Sequence, residues 1–114
     1  MPHFVIECSE NVLKQHSPKT IMQKIHNTAV SSGLFDSWDI KVRINQYTHY
    51  TIGNTTEDFI HVFANIMEGR STSQKRNLSR MAVKDLNELF PEVNVISINI
   101  RDFEKATYCN KSMI

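Results

Sequence analysis

The chain is short, almost neutral, and rich enough in apolar residues to form a folded domain. It has 114 residues, with 13 Lys and Arg against 12 Asp and Glu, and 40% of its residues are hydrophobic. This length predicts one domain over residues 1–114, and the apolar content excludes a disordered chain. No apolar run approaches the roughly 20 residues of a membrane helix. A net charge of +1 gives no general attraction to nucleic acid or to anionic membranes, so a charged partner must be bound by a local cluster.

Cysteine usage and the N-terminal composition indicate the compartment. No basic segment followed by an apolar stretch is present, so no signal peptide is predicted. Cys8 and Cys109 are too few for a disulfide framework, and we expect a reduced cytoplasmic protein. The histidines lack metal-ligand spacing, which favours surface or sheet positions and no metal site; they are His3, His16, His26, His49 and His61.

The first half of the chain combines two strand patterns with one helix pattern. Residues 2–8 alternate between apolar and polar side chains, which predicts a strand. Ser17 followed by Pro18 is typical of a helix N-terminus, and Gly33 predicts the end of that helix. Alternation returns over residues 40–45 and predicts a second strand.

The second half repeats this order. After a polar loop, residues 59–67 predict a third strand. The segment Ser71–Gln74 has the capping-box pattern at the start of a second long helix, and Pro91 predicts its end. Residues 93–100 predict a fourth strand, whereas the tail over residues 101–114 has no recognisable pattern.

The resulting β-α-β-β-α-β order predicts an α+β fold with pseudo-twofold halves. Each half places a helix between two strands, which favours a right-handed parallel crossover, with both helices on one face of a four-stranded sheet. The other face is too apolar for free solvent and too charged for a dry core. Two interpretations remain: a half-exposed sheet, or a surface that packs against other subunits with its charges around a site. Its side chains are those of His3, Val5, Glu7, Lys41, Arg43, His61 and Phe63 or Phe59.

A proline in the second position gives the N-terminus a potential chemical role. Removal of Met1 would leave Pro2 as a free secondary amine at the end of a strand. Burial and nearby cations lower the pKa of such an amine toward neutrality, where it can act as a general base. The dipeptide by itself indicates only that Met1 can be removed, so this hypothesis depends on neighbouring side chains.

Three cations are candidates to bind an anion near that amine. Lys41 and Arg43 lie on the second predicted strand, and Arg70 precedes the second long helix, whose N-terminus favours negative charge. Each alone is equally well interpreted as a solvated surface charge. Together with a terminal amine, they suit a small substrate that carries several negative charges.

Several segments resemble the 5-carboxymethyl-2-hydroxymuconate isomerase family of the tautomerase superfamily. Relatives in that superfamily include 4-oxalocrotonate tautomerase and macrophage migration inhibitory factor. The resemblance runs nearly from end to end and is most specific at the N-terminus. It is carried by the segments Met1–Ser9, Asp39–Arg43, Asp58–Val62, Gly69–Ser71 and Thr107–Asn110.

The resemblance implies a homotrimeric isomerase that uses no metal and no organic cofactor. Three subunits would turn their sheets inward around a threefold axis. The substrate would be a small unsaturated hydroxy-di- or tricarboxylate, such as 5-carboxymethyl-2-hydroxymuconate, in the homoprotocatechuate branch of aromatic-compound breakdown. Pro2 would take a proton from the conjugated system and return it at another carbon.

The resemblance also implies which cations hold the substrate carboxylates. Arg70 matches the family's Gly-Arg-Ser arginine, and Lys41 occupies the place of the family's strand-two arginine, with Arg43 as a neighbouring candidate. Lys41 keeps the charge of an arginine but lacks its bidentate fork, which puts the substrate's identity in question. Phe59 begins the third strand where a second proline would be needed, so one catalytic amine is expected per subunit.

Two other classes of function remain as alternatives. One is a trimeric tautomerase fold that binds or signals without catalysis. The other is an open-sheet nucleic-acid-binding module, which needs a Lys/Arg-Gly-aromatic pattern on its third strand. The segment Phe59–Phe63 has aromatic residues but lacks that pattern.

Overall fold

The elements follow the predicted β-α-β-β-α-β order, with one short helix added. The computed structural model describes residues 1–114. Its strands are β1 (His3–Ser9), β2 (Lys41–Tyr47), β3 (Phe59–Met67) and β4 (Val95–Phe103). Its helices are α1 (Val12–Gln15), α2 (Pro18–Ser31) and α3 (Thr72–Leu89), with 3-10 turns at Ser37–Asp39 and Lys111–Met113.

The four strands form one mixed sheet in the order β2-β1-β3-β4. β1 and β2 are parallel, as are β3 and β4, which confirms the parallel pairing predicted within each half. The two halves meet where β1 and β3 pair antiparallel at the centre of the sheet. The β-α-β unit therefore occurs twice, and β2 and β4 form the two edges.

The edge strands extend further than their apolar alternation predicted. β2 begins at Lys41, one residue later than expected, and continues to Tyr47, which pairs with Ser9. β4 starts at Val95 and continues to Phe103, which pairs with Met67. These extensions are set by the partner strand, whose backbone groups must be paired, and not by the pattern of the edge strand itself.

Local signals fix the start of both long helices. The Ser17 hydroxyl accepts a hydrogen bond from the Thr20 amide at 3.2 Å, which caps α2. At α3 the predicted capping box is complete, because the Ser71 hydroxyl accepts from the Gln74 amide and the Gln74 side chain accepts from the Ser71 amide. Each such cap contributes about 1 kcal/mol to helix stability.

The core lies between the two long helices and one face of the sheet, as predicted. β1 and β3 are central, and alternate side chains of both strands are fully buried against α2 and α3. The buried side chains include Phe4, Ile6, Cys8, Ile60, Val62 and Ala64 from the strands, and Ile21, Ile25, Ala29, Leu78, Ala82 and Leu86 from the helices.

No helix covers the opposite face of the sheet, which we call the outer face. It is formed by the odd-numbered side chains of β1 to β4, from His3, Lys41, Phe59 and Val95 onward. Val5 lies directly between Arg43 of β2 and Phe63 of β3, so apolar and charged side chains are neighbours on this face. Phe63 remains 36% exposed. The outer face is therefore the mixed, uncovered surface expected from the sequence.

Candidate active site

Pro2 lies at the entry to β1 and its side chain is fully buried. The Lys41 amide donates a hydrogen bond to the Pro2 carbonyl at 3.1 Å, which extends the pairing of β1 with β2 by one residue. A terminus that is tied into a sheet in this way does not fray. The backbone at Pro2 is therefore held in one position.

The Lys41 side chain lies beside the residue that precedes Pro2. Its ammonium group donates to the Asp39 carbonyl at 2.6 Å and lies 3.6 Å from the Met1 sulfur. Lys41 is also paired in register with His3, the first residue of β1. The start of β2 thus places one positive charge at the N-terminus of the chain.

Arg70 lies in the turn between β3 and α3 and is held at three points. Its Nη2 donates to the Leu34 carbonyl at 2.7 Å, and its Nη1 donates to the Met67 carbonyl at 3.3 Å. The guanidinium carbon lies 5.2 Å from the centre of the Phe35 ring, within cation–π distance. Because a guanidinium carries five N–H donors, these contacts fix the group and leave donors for an anionic ligand.

The two cations act on the amino group of the chain. Burial is the main cause that lowers the pKa of the Met1 amino group; Lys41 and Arg70 lower it too, while Asp39 opposes them. Both cations therefore lie near enough to the Met1 amino group to affect its pKa, next to the start of β1 where Pro2 is buried.

Arg43 lies farther along β2 and contacts a different residue. It is exposed on the outer face, and its Nη1 lies 3.0 Å from Nδ1 of His3. Burial lowers the pKa of His3, and the charges of Arg43, Lys41 and the amino terminus lower it further. From the sequence, His3 was interpreted as a surface or sheet histidine. Its position next to Pro2, on the same predicted face as Arg43, was the one feature that could have indicated a role near the site.

The C-terminal tail also reaches this region, which the sequence did not predict. The Phe103 ring meets the His3 ring edge-on at 5.9 Å between centroids, and Tyr108 lies 5.6 Å from Phe103. The tail has no apolar period that could have shown this. Contacts between the rings of Tyr108, Phe103 and His3 thus connect the segment after β4 to the start of β1.

Arg70 directly precedes the N-terminus of α3, as the sequence predicts. The capping box engages the amides of Ser71 and Gln74, and it leaves the amides of Thr72 and Ser73 in the first turn unused. The groups here that suit an anion are therefore the guanidinium of Arg70 and the first-turn amides that the capping box leaves unused.

Other reactive groups lie outside this region. Cys8 is a free, buried thiol, and burial raises its pKa to about 11, so it stays protonated at neutral pH. No three His, Cys, Asp or Glu side chains are arranged to hold a metal ion. No helix is both long and apolar enough to span a membrane.

Comparison with known proteins identifies the family. The model of the 5-carboxymethyl-2-hydroxymuconate isomerase family matches residues 2–114. The 5-carboxymethyl-2-hydroxymuconate Delta-isomerase of Escherichia coli is 25% identical over 83 residues. That alignment covers 71% of this chain and 66% of the E. coli protein, just under two thirds of its length.

Solved structures share the fold across nearly the whole chain. A 5-carboxymethyl-2-hydroxymuconate isomerase from Deinococcus radiodurans superposes with a TM-score of 0.82 at 22% identity, covering 96% of this chain and 88% of that one. A fused 4-OT, described as a symmetric trimer, superposes with a TM-score of 0.81 at 13% identity, covering 98% and 94%. At such identities the likeness concerns the fold. With the family match over residues 2–114, it follows that this chain belongs to the 5-carboxymethyl-2-hydroxymuconate isomerase family.

Proposed function

We propose that this protein is a cofactor-independent isomerase that moves a proton along a small unsaturated hydroxy-di- or tricarboxylate. A substrate such as 5-carboxymethyl-2-hydroxymuconate, from the homoprotocatechuate branch of aromatic-compound breakdown, has the required charge and conjugation. The observation that carries the proposal is the start of β1, where Pro2 is buried and where Lys41 and Arg70 both lower the pKa of the Met1 amino group that precedes it. Membership of the isomerase family supports the same reaction class.

Pro2 acts as the base and the acid once Met1 has been removed. Its nitrogen is then a secondary amine, and the proline ring to which it belongs is fully buried in the chain that retains Met1. Burial and nearby positive charge both disfavour the protonated amine, so a useful fraction of it is neutral at physiological pH. The neutral amine takes a proton from the conjugated hydroxy-acid, and the resulting ammonium returns it to another carbon.

The cations hold the carboxylates and stabilise the negative charge that develops during proton transfer. Arg70 is already fixed by Leu34 and Met67, so little reorganisation is needed when an anion arrives. Lys41 adds a positive charge beside the amine, and Arg43 adds another on the outer face. Each can bind a carboxylate, and a substrate with two or three carboxylates can use more than one of them.

The direct test is turnover by protein whose N-terminus is known. Intact mass spectrometry establishes whether Met1 is absent, and ultraviolet absorbance follows the conversion of an enol or dienol substrate. We expect Met1-free protein to isomerise the hydroxy-dicarboxylate without added metal or coenzyme. A Met1-free preparation that folds but converts no enol substrate would favour a binding or signalling role instead.

A homotrimer would cover the outer face, and one substitution tests it. Phe63 is exposed on that face beside Val5, so Phe63→Lys would bury an unpaired charge in each subunit contact. We expect the variant to sediment as a monomer while the native protein sediments as a trimer. Val30→Lys is the matched control, because Val30 is 41% exposed on α2, away from the outer face. Sedimentation equilibrium measures both, and a monomeric native protein would contradict the assembly.

A further inference from the structure

The contact between His3 and Arg43 has a defined direction. The two atoms, Arg43 Nη1 and His3 Nδ1, lie 3.0 Å apart. A guanidinium can only donate hydrogen bonds, so Nδ1 must be the acceptor, and a neutral His3 ring then carries its proton on Nε2. The histidine therefore holds the arginine, and it can do so only while Nδ1 is unprotonated.

The surroundings of His3 keep it in that form. Lys41 lies opposite it on β2, Asn65 lies opposite it on β3, and Phe103 of β4 meets its ring edge-on. The charges that lower its pKa, from Arg43, Lys41 and the amino terminus, are all positive, and they act together with burial. The neutral ring is therefore the form present when the protein works near neutral pH.

Arg43 needs such a partner because of where it lies. Within one subunit it is exposed on an edge strand, and an arginine with no partner there samples many rotamers. A hydrogen bond to one nitrogen fixes the plane of the guanidinium and leaves its other N–H groups free for a carboxylate. Lys41, at the start of the same strand, donates to the Asp39 carbonyl, and its ammonium group cannot form the bidentate pair that a guanidinium forms with a carboxylate.

We propose that His3 is a positioning residue that orients Arg43 to bind a second carboxylate of the substrate, on the outer-face side of Pro2. The inference rests on the proposed function for the identity of the bound molecule. Arg70 and Arg43 would then bind different carboxylates of the same substrate. Arg43 supplies the bidentate fork that Lys41 lacks.

Binding of a saturated dicarboxylate tests this without requiring turnover. Adipate has two carboxylates and no double bond, and hexanoate is its single-carboxylate counterpart. We expect His3→Leu to weaken adipate binding about five-fold, the effect of one hydrogen bond, and to leave hexanoate binding unchanged. Isothermal titration calorimetry measures both. His3→Asn is the matched variant, because its amide oxygen can accept from Arg43 at the place of Nδ1, and it should restore adipate affinity.

A double-mutant cycle separates positioning from direct contact. If His3 acts through Arg43, the double variant His3→Leu with Arg43→Ala binds adipate as weakly as Arg43→Ala alone. Nitrogen-15 NMR of the His3 ring tests the contact without any ligand. In the native protein we expect the neutral ring to carry its proton on Nε2, and in Arg43→Ala we expect the pKa of His3 to rise. Additive effects, failure of Asn to rescue, or equal affinity of the native protein for adipate and hexanoate would each overturn the proposal.

The same experiments distinguish this inference from the proposed function. Suppose that Met1-free protein turns over no enol substrate, but the double-mutant cycle shows that His3 and Arg43 act together in adipate binding. The isomerase proposal then fails, and the two residues remain a dicarboxylate site. If turnover occurs but the cycle is additive, the isomerase stands and His3 has no positioning role.

Discussion

Blocking the nitrogen of Pro2 is expected to lower kcat by about 10²–10⁴-fold, the usual contribution of a positioned general base. A Gly-Ser extension that the cell cannot remove turns this nitrogen into a tertiary amide, which has no basic lone pair. The matched protein carries a cleavable extension that ends directly before Pro2, so both preparations have the same residues 2–114. The initial rate of enol-to-ketone conversion measures the difference, and intact mass verifies each N-terminus.

Pro2→Ala in the trimmed protein supplies the control for the amine itself. A primary amine remains at nearly the same place, so we expect part of the activity to survive, with a smaller loss in kcat than in the blocked protein. KM should change little in either variant, because the carboxylates are held by other side chains. If the blocked protein and the trimmed protein that retains Pro2 had equal kcat, Pro2 would have no part in the mechanism.

Arg70→Ala is expected to raise KM for a dianionic substrate about 10- to 100-fold, the range for hydrogen bonds to charged groups. The reason lies in how Arg70 is held: the Leu34 and Met67 carbonyls and the Phe35 ring fix its guanidinium near the amine. Arg70→Lys keeps the charge but loses the fork, so an intermediate KM is expected. Steady-state kinetics with dianionic and monoanionic substrates measure the change.

Arg76→Ala is the matched control, since Arg76 is an exposed arginine in the first part of α3. Its loss should leave KM unchanged, which separates a local role of Arg70 from a change in the overall charge. Arg70→Ala also removes two hydrogen bonds within the fold, so its thermal unfolding is measured alongside. The same increase in KM for monoanionic and dianionic substrates would contradict a carboxylate-binding role.

The fold was predictable to the extent that local chemistry determines it. Alternation located all four strands, and the caps at Ser17 and Ser71 located the starts of α2 and α3. The four residues of α1 are too few to show a helical period, and the C-terminal part of β4 is set by its pairing with β3. Both are products of tertiary contacts, which a sequence pattern does not contain.

The site was predictable as a set of residue types but not as a geometry. Pro2, Lys41 and Arg70 could be singled out because an amine and cations suit an anionic substrate. Arg70 is fixed by the nearby Met67 carbonyl and by the Leu34 carbonyl, 36 residues earlier in the chain, and nothing in the sequence around Leu34 indicates that role. Likewise, the bond from Arg43 to His3 depends on the register of β1 with β2, which no spacing within either strand reveals.

The position of β2 at an edge of the sheet has a consequence for how such enzymes diversify. Pro2, the proposed base, directly precedes a central strand that is paired on both sides, whereas Lys41 and Arg43 lie on a strand paired on one side only within the subunit. Substitutions on β2 therefore disturb fewer neighbours than substitutions on β1. If the proposed roles hold, selection can exchange the cations that recognise a substrate while the position of Pro2 stays unchanged.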